Sequence, residues 1–256
     1  MMNIDSELVL ITVHKGPIKD LIKTLKSIDN QILKPKLNVV VVRNISFYEI
    51  KLFRNKKRIF IINKDKSIYN AMNIALSYKN ISNYPLLFLN SGDTLFDKKT
   101  IYNMNKYLKL SCPIIGKQVL KIKKYFFEVK NHYFRKNTYL PHGAFVVPRS
   151  KTKNFLSRDF FFREKNLIDA DGLWMRSIIK NNNQRIYKLN ENISIHSLEG
   201  ISTNPTLSTL HYYFSISFFA FLKELVKFFL KKITVFSTIY YGIIFFIKYN
   251  VVKKND

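Results

Sequence analysis

The octapeptide LLFLNSGD, Leu86 to Asp93, is four apolar residues followed at once by four small or polar ones. The apolar run does not alternate with polar residues, so it reads as a strand buried on both faces, as in a parallel sheet. It stops abruptly and delivers Asn90, Ser91, Gly92 and Asp93 to the end of that strand. Ligands of open α/β sheets bind beyond the carboxyl ends of the strands, so this tetrapeptide is the first candidate site.

Working outward, the same kind of run recurs at Leu8–Val13 (LVLITV), Leu37–Val42 (LNVVVV) and Arg58–Ile62 (RIFII). Helices fall between them. Residues 17–30 place Leu21, Leu25 and Ile28 at helical spacing behind Pro17. Residues 67–80 start at Ser67, a suitable N-cap. The alternation predicts an open, mostly parallel, Rossmann-like sheet with helices on both faces. The residues that follow each strand are then the ones to watch: His14, Arg43 with Asn44, Asn63 to Asp65, and Asn90 to Asp93.

Past residue 110 the pattern changes. Residues 118–134 alternate Lys with Ile, Phe and Tyr, which predicts exposed antiparallel strands. Residues 139–147 (YLPHGAFVV) read as a turn and a strand, and 166–180 as a helix holding the single Trp, Trp174. His196, ahead of the loop 197–202, is placed where it could face the site but reads first as a structural histidine, and Tyr69 and Met72 read as core.

Composition narrows the partners. The 256 residues carry 43 Lys+Arg against 17 Asp+Glu, a net charge of +26. Such an excess calls for an anionic partner: phosphorylated substrate, anionic membrane surface or nucleic acid. The Lys/Phe/Tyr mixture at 121–135 is the one feature favouring a basic nucleic-acid-binding protein, and no binding module accompanies it. The basic stretch Lys117–Lys136 reads first as a solvated face. Cys112 is the single cysteine, which rules out an internal disulfide or a cysteine-based zinc site. The start, MMNIDSELVLITVHKG, has acidic residues where a secretory signal has basic ones, so a cytoplasmic location is expected.

Residues 207–256 are dominated by Phe, Ile, Leu and Tyr with lysines at intervals. In 218–230 the lysines 223 and 227 fall at helical spacing against Phe and Leu, the pattern of a basic amphipathic helix lying in a membrane interface. Residues 233–251 approach the length of a span, but Lys248 interrupts them. The expected organisation is a catalytic domain over 1–206 and a helical, basic, membrane-associating tail over 207–256, with an anionic membrane surface as partner.

Several segments together resemble the family 2 glycosyltransferases, in the branch that builds capsule, O-antigen and colanic-acid-type polymers. They are DKSIYNAMNIAL (65–76), LLFLNSGD (86–93), PHGAFVVPR (141–149), ADGLWMR (170–176) and GISTNP (200–205), with Leu10–His14 and Ser27–Gln31 upstream. They stand in the family's order and cover residues 8–205.

The resemblance implies the GT-A fold, a Rossmann-like half joined to a mixed-sheet acceptor half. It also implies inverting transfer of a sugar from a nucleotide-diphosphate donor to a glycan or lipid-linked glycan. Asp93 matches the metal-binding carboxylate, holding Mn2+ or Mg2+ against the donor diphosphate. Asp171 matches the general base, with Asp169 as the rival carboxylate. His142 matches a histidine near the diphosphate or acceptor. Thr12, His14, Arg43, Asp65, Asn90, Ser91 and Gly92 match donor-binding positions. A UDP-sugar is the commonest donor in the family, but Arg43 stands where relatives have the Asp that reads uracil, and a guanidinium has donors only. The implied setting is the cytoplasmic face of the inner membrane, with no nucleic acid as partner. Another nucleotide-dependent transferase on a similar sheet is the enzymatic alternative.

Overall fold

The runs of valine, isoleucine and leucine at 8–14, 37–42 and 86–88 are the centre of the computed structural model. It describes residues 6–43, 45–64, 67–81, 83–122, 125–129, 140–149, 170–183, 185–197 and 249–251. Strand β1 (Val9–His14) is wholly buried and lies between β2 (Leu37–Val42) and β4 (Leu86–Phe88), parallel to both. Strand β3 (Arg58–Ile62) adds in parallel to β2 and forms the free edge. Branched side chains on both faces of β1, β2 and β4 are buried, as a parallel sheet requires.

Helix α1 (Ile18–Asp29) connects β1 to β2, α2 (Phe47–Leu52) connects β2 to β3, and α3 (Ile68–Leu76) connects β3 to β4. After β4 come the two-residue β5 (Thr94–Leu95) and α4 (Thr100–Asn105). The mixed half follows: β6 (Ile114–Ile122), β7 (Tyr125–Val129), β8 (Phe145–Val147), helix α5 (Ala170–Lys180) and β9 (Tyr187–Ser197). Strand β8 runs antiparallel to β4 and to β6, giving the order β6-β8-β4-β1-β2-β3. Strand β9 pairs with β5 and β6.

The sheet separates two apolar layers. On one face α3 and α5 bring Met72, Leu76, Trp174, Met175 and Ile178 against Val9, Ile11, Val39 and Phe88. On the other, α1 and α4 bring Leu21, Leu25, Ile28, Ile101 and Met104 against Leu10, Val40, Val42 and Leu89. Odd and even positions of β1 therefore serve opposite layers, as strand geometry demands. The edge strand carries a buried cation: Arg58 pairs with Asp29 at 2.6 Å and donates to Asn38 Oδ1 and the Phe53 carbonyl.

The chain divides into two compact units, residues 1–119 with 132–196, and residues 120–131 with 197–256. In the second unit, β10 (Tyr249–Val251) pairs antiparallel with β7. Those three residues of the tail are therefore strand; residues 198–248, and with them the expected amphipathic helix, lie outside the described residues. Among the described residues no helix is long and apolar enough to cross a membrane.

One expectation needs correcting. Residues 118–120 are not exposed: Gln118, Val119 and Leu120 are buried, with the Gln118 amide against the turn at Gly143.

Candidate active site

Asp93 is placed by α1. Thr24 and Ser27, at i and i+3 on that helix, and Gln31 just past its end each hold a piece of the segment that follows β4. Thr24 Oγ1 accepts from the Gly92 amide at 3.0 Å and donates to the Asp93 carbonyl at 2.6 Å. Ser27 Oγ accepts from the Leu95 amide, and Gln31 donates to the Asp97 carbonyl and accepts from the Ile101 amide. Ser91 N–H reaches back to the Val13 carbonyl at 3.0 Å. Gly92 adopts φ +99°, a left-handed conformation that favours glycine. A rigid turn results, presenting Asn90 and Asp93 at the carboxyl end of the sheet.

The Asp93 carboxylate is buried and meets two histidines. His196, at the end of β9, places Nδ1 2.8 Å from Asp93 Oδ1. His142, in the 3₁₀ turn His142–Ala144, places Nε2 3.9 Å from Asp93 Oδ2 and 3.2 Å from Asn90 Nδ2. The other face of His142 meets Asp171, with Nδ1 3.2 Å from Oδ2. The result is an alternating run, His196–Asp93–His142–Asp171, in a largely buried setting. His142 can come this close because residue 143 is glycine. A Cβ there would lie 2.8 Å from Gln118 Nε2 and 2.9 Å from Ser194 Oγ.

The electrostatics follow. Burial disfavours a charged His142, but the hydrogen bond and charge of Asp171 and the charge of Asp93 outweigh it, and the pKa of His142 is raised. Burial likewise disfavours the Asp171 carboxylate, yet His142 and the backbone amides of Gly172 and Asp171 outweigh it, and its pKa is lowered. Each partner thus favours the charged form of the other. His14 is different: burial dominates, Asp20 and Glu49 offset it only in part, and its pKa is lowered. It hydrogen-bonds Ser91 Oγ at 2.8 Å.

Beside this run, a shallow crevice opens at the carboxyl ends of β1 and β2 and the start of α3. Val13, Val41, Val42, Ile68 and Ala71 form its apolar walls, and His14, Lys15, Arg43, Asn63 and Ser67 its polar ones. None of these ten is a carboxylate. Asn90 Oδ1 is buried with no hydrogen-bond partner among the described residues.

The structure thus brings Asn90, Asp93, His142 and Asp171 into one cluster, and His14, Ser91 and Arg43 beside it. Thr12 is fully buried, accepts from Asn38 Nδ2 at 3.2 Å and does not line the crevice. Asp65 and Asp169 lie outside the described residues. Tyr69 and Met72 are core, as expected. His196 is the residue the sequence reading undervalued. The signal was its place at the end of a strand before a polar loop, the feature that singled out His14 and Asp93.

Among the described residues no group of three or more His, Cys, Asp or Glu side chains is placed to hold a metal ion by itself. Asp93 and His196 form a two-residue donor set, and magnesium-type ions commonly take one or two protein ligands and complete their shell with phosphate oxygens.

No protein-family profile and no curated protein matches the chain. Solved structures do. S. aureus TarS residues 1–349 in complex with UDP-GlcNAc superposes with a TM-score of 0.63 at 17% identity, covering 80% of this chain and 64% of that one. The same protein in complex with UDP gives 0.59 at 18%, covering 74% and 60%. The mannosyltransferase PcManGT from Pyrobaculum calidifontis, in complex with GDP-Man and Mn2+, gives 0.55 at 14%, covering 90% and 65%. The chain therefore spans less than two thirds of each of these proteins. At such identities the likeness is one of fold: this chain has a glycosyltransferase fold.

Proposed function

We propose that this chain transfers a sugar from a nucleoside-diphosphate sugar to an acceptor hydroxyl, in one displacement that inverts the anomeric carbon. The observation that supports it is the run His196–Asp93–His142–Asp171, which sets a donor-side carboxylate and a second carboxylate on either side of one imidazole. The solved structures of the same fold carry UDP, UDP-GlcNAc or GDP-Man, and one carries Mn2+.

Asp171 is the base. Its lowered pKa keeps it ionised at neutral pH, and its side chain is a quarter exposed, so an acceptor hydroxyl can reach it. His142 orients Asp171 and keeps the space between the two carboxylates from being purely anionic. Asn90 Oδ1 offers an acceptor to a donor hydroxyl. Asp93 and His196 fit a Mn2+ or Mg2+ ion whose other positions go to a diphosphate. Bound there, such an ion would neutralise charge on the leaving nucleoside diphosphate.

The crevice takes the nucleoside. With Arg43 at its rim and no carboxylate in its walls, base recognition falls to groups such as the Asn63 amide, which both donates and accepts. The donor need not be a UDP-sugar. We place the chain in the family 2 branch that extends lipid-linked or surface polysaccharides, held at the cytoplasmic face of the inner membrane by residues 207–256.

The test is a thermal-shift and calorimetric screen of UDP-, GDP-, ADP- and dTDP-sugars with and without Mn2+. A Mn2+-dependent rise in melting temperature with one nucleotide class is expected. Stabilisation by RNA and by none of the nucleotide sugars would sink the reading.

A further inference from the structure

Apolar side chains gather at the surface in one short stretch. Of the large hydrophobic residues that are exposed, Phe47 (80%), Tyr48 (71%), Leu52 (62%) and Ile62 (64%) fall between residues 47 and 62. Helix α2 buries none of its residues. Its inner side is Ile50, followed by Phe53, and both pack partly on the α1 face of the sheet. At about 100° per residue, Phe47, Tyr48, Lys51 and Leu52 then share the opposite, outward arc. Phe60 packs against the same core cluster as Ile50 and Phe53, so Ile62, two residues on, faces the same side at the end of the edge strand.

This display is fixed. Ser46 Oγ accepts from the Glu49 amide at 3.2 Å, and Glu49 Oε2 accepts from the Ser46 amide at 2.9 Å. That reciprocal cap holds the first turn of α2 in place. The surroundings are cationic: Lys51, Arg54, Lys56 and Lys64 are exposed and Lys57 half-exposed, while Glu49, engaged in the cap, is the single acidic residue from 45 to 64.

We propose that α2 and the end of β3 form a membrane-docking face, inserting Phe47, Tyr48 and Leu52 into an anionic lipid surface while the surrounding lysines and arginine meet its headgroups. Aromatic and aliphatic side chains ringed by cations are the combination that such an interface takes up. A second copy of the chain fits less well, since it would bring the same cations against these and the chain carries a net charge of +26. Nucleic acid also fits less well: bases could stack on Phe47 and Tyr48, but Leu52 and Ile62 would stay exposed to water with no apolar partner. The proposal stands apart from the transferase reading, for none of these residues belongs to the candidate site.

The test uses the full chain with Cys112→Ser and a single environment-sensitive fluorophore on Leu52→Cys. A second protein carries it on Leu173→Cys, on the opposite face of the sheet. With vesicles of phosphatidylcholine and phosphatidylglycerol, the label at 52 should brighten, shift to the blue and be quenched by brominated acyl chains, while the label at 173 stays water-like. Phosphatidylcholine alone should give little response. Lys51→Glu with Arg54→Glu should weaken vesicle partitioning about tenfold or more. The proposal is overturned if the chain fails to bind anionic vesicles, or if the label at 52 does not change while the chain is bound. It is also overturned if that label is already in an apolar setting before lipid is added, which would mark a second copy or the chain's own covering of the face.

Discussion

The segment from β1 to Asp93 and the segment from β6 to β9 build their parts of the site by different means. In the first, the functional residues stand directly at strand ends and are held mainly by backbone groups and by Thr24, Ser27 and Gln31. In the second, His142, Asp171 and His196 come from a 3₁₀ turn, the first turn of a helix and the end of a long strand. His142 and Asp171 are held by each other, and His196 by Asp93. A site built this way has a rigid donor side that tolerates little and an ionic acceptor side that answers to pH.

The largest effect tests the donor side. Asp93→Ala removes the carboxylate that both histidines approach, and should abolish transfer and Mn2+-dependent nucleotide-sugar binding while circular dichroism stays native. Full activity in this variant with chelator present would erase the assigned role.

Next comes the chemistry of the acceptor side. Asp171→Asn should lower kcat by about 10² or more and leave donor affinity near wild type, whereas Asp169→Asn should change kcat far less. The opposite ranking would transfer the role of base to Asp169.

The ionic character of the acceptor side predicts a pH signature. The pKa of His142 is raised, so its contribution to stability is complete below the free-histidine value of 6.5 and fades as pH climbs through the raised value. The pKa of Asp171 is lowered, so its contribution is present above 3.8 and fades as pH falls through the lowered value. His142→Asn should therefore cost about 3 kcal/mol between these limits, at the low side of partner removal from a buried pair because Asp171 is partly exposed. Denaturant titrations at pH 5.5 and at pH 9 measure it. An equal loss at both would mean that His142 acts by packing and not by charge.

The smallest effect probes the donor turn. A Cβ at residue 92 would meet only Asp20, at an ordinary 3.8 Å, so Gly92→Ala carries the left-handed backbone strain alone. A destabilisation of about 1 kcal/mol is expected, with donor affinity falling in step if the turn shifts. A loss several times larger, seen in chemical denaturation, would show that the turn is less forgiving than its contacts imply.

The parallel core was legible because its strands are continuous apolar runs and its helices carry 3.6-residue spacing. Leu37–Val42 and Arg58–Ile62 coincide with the observed strands, and residues 17–30 contain the observed helix. Helix α2, α4, β5 and β9 escaped notice. They are short, or their apolar positions are set by partners distant in sequence rather than by local period, as in β9, whose burial alternates irregularly.

The sequence by itself determined the Rossmann-like half and the placing of Asp93 after its fourth strand. Strand periodicity and the abrupt polar stop are local properties, carried within eight residues. That His196 reaches Asp93 across 103 positions, and that His142 joins Asp93 to Asp171, was decided only in three dimensions. A buried charge needs a partner, and which residue supplies it depends on the pairing of β5 with β9 and of β8 with β4. No local pattern encodes that pairing.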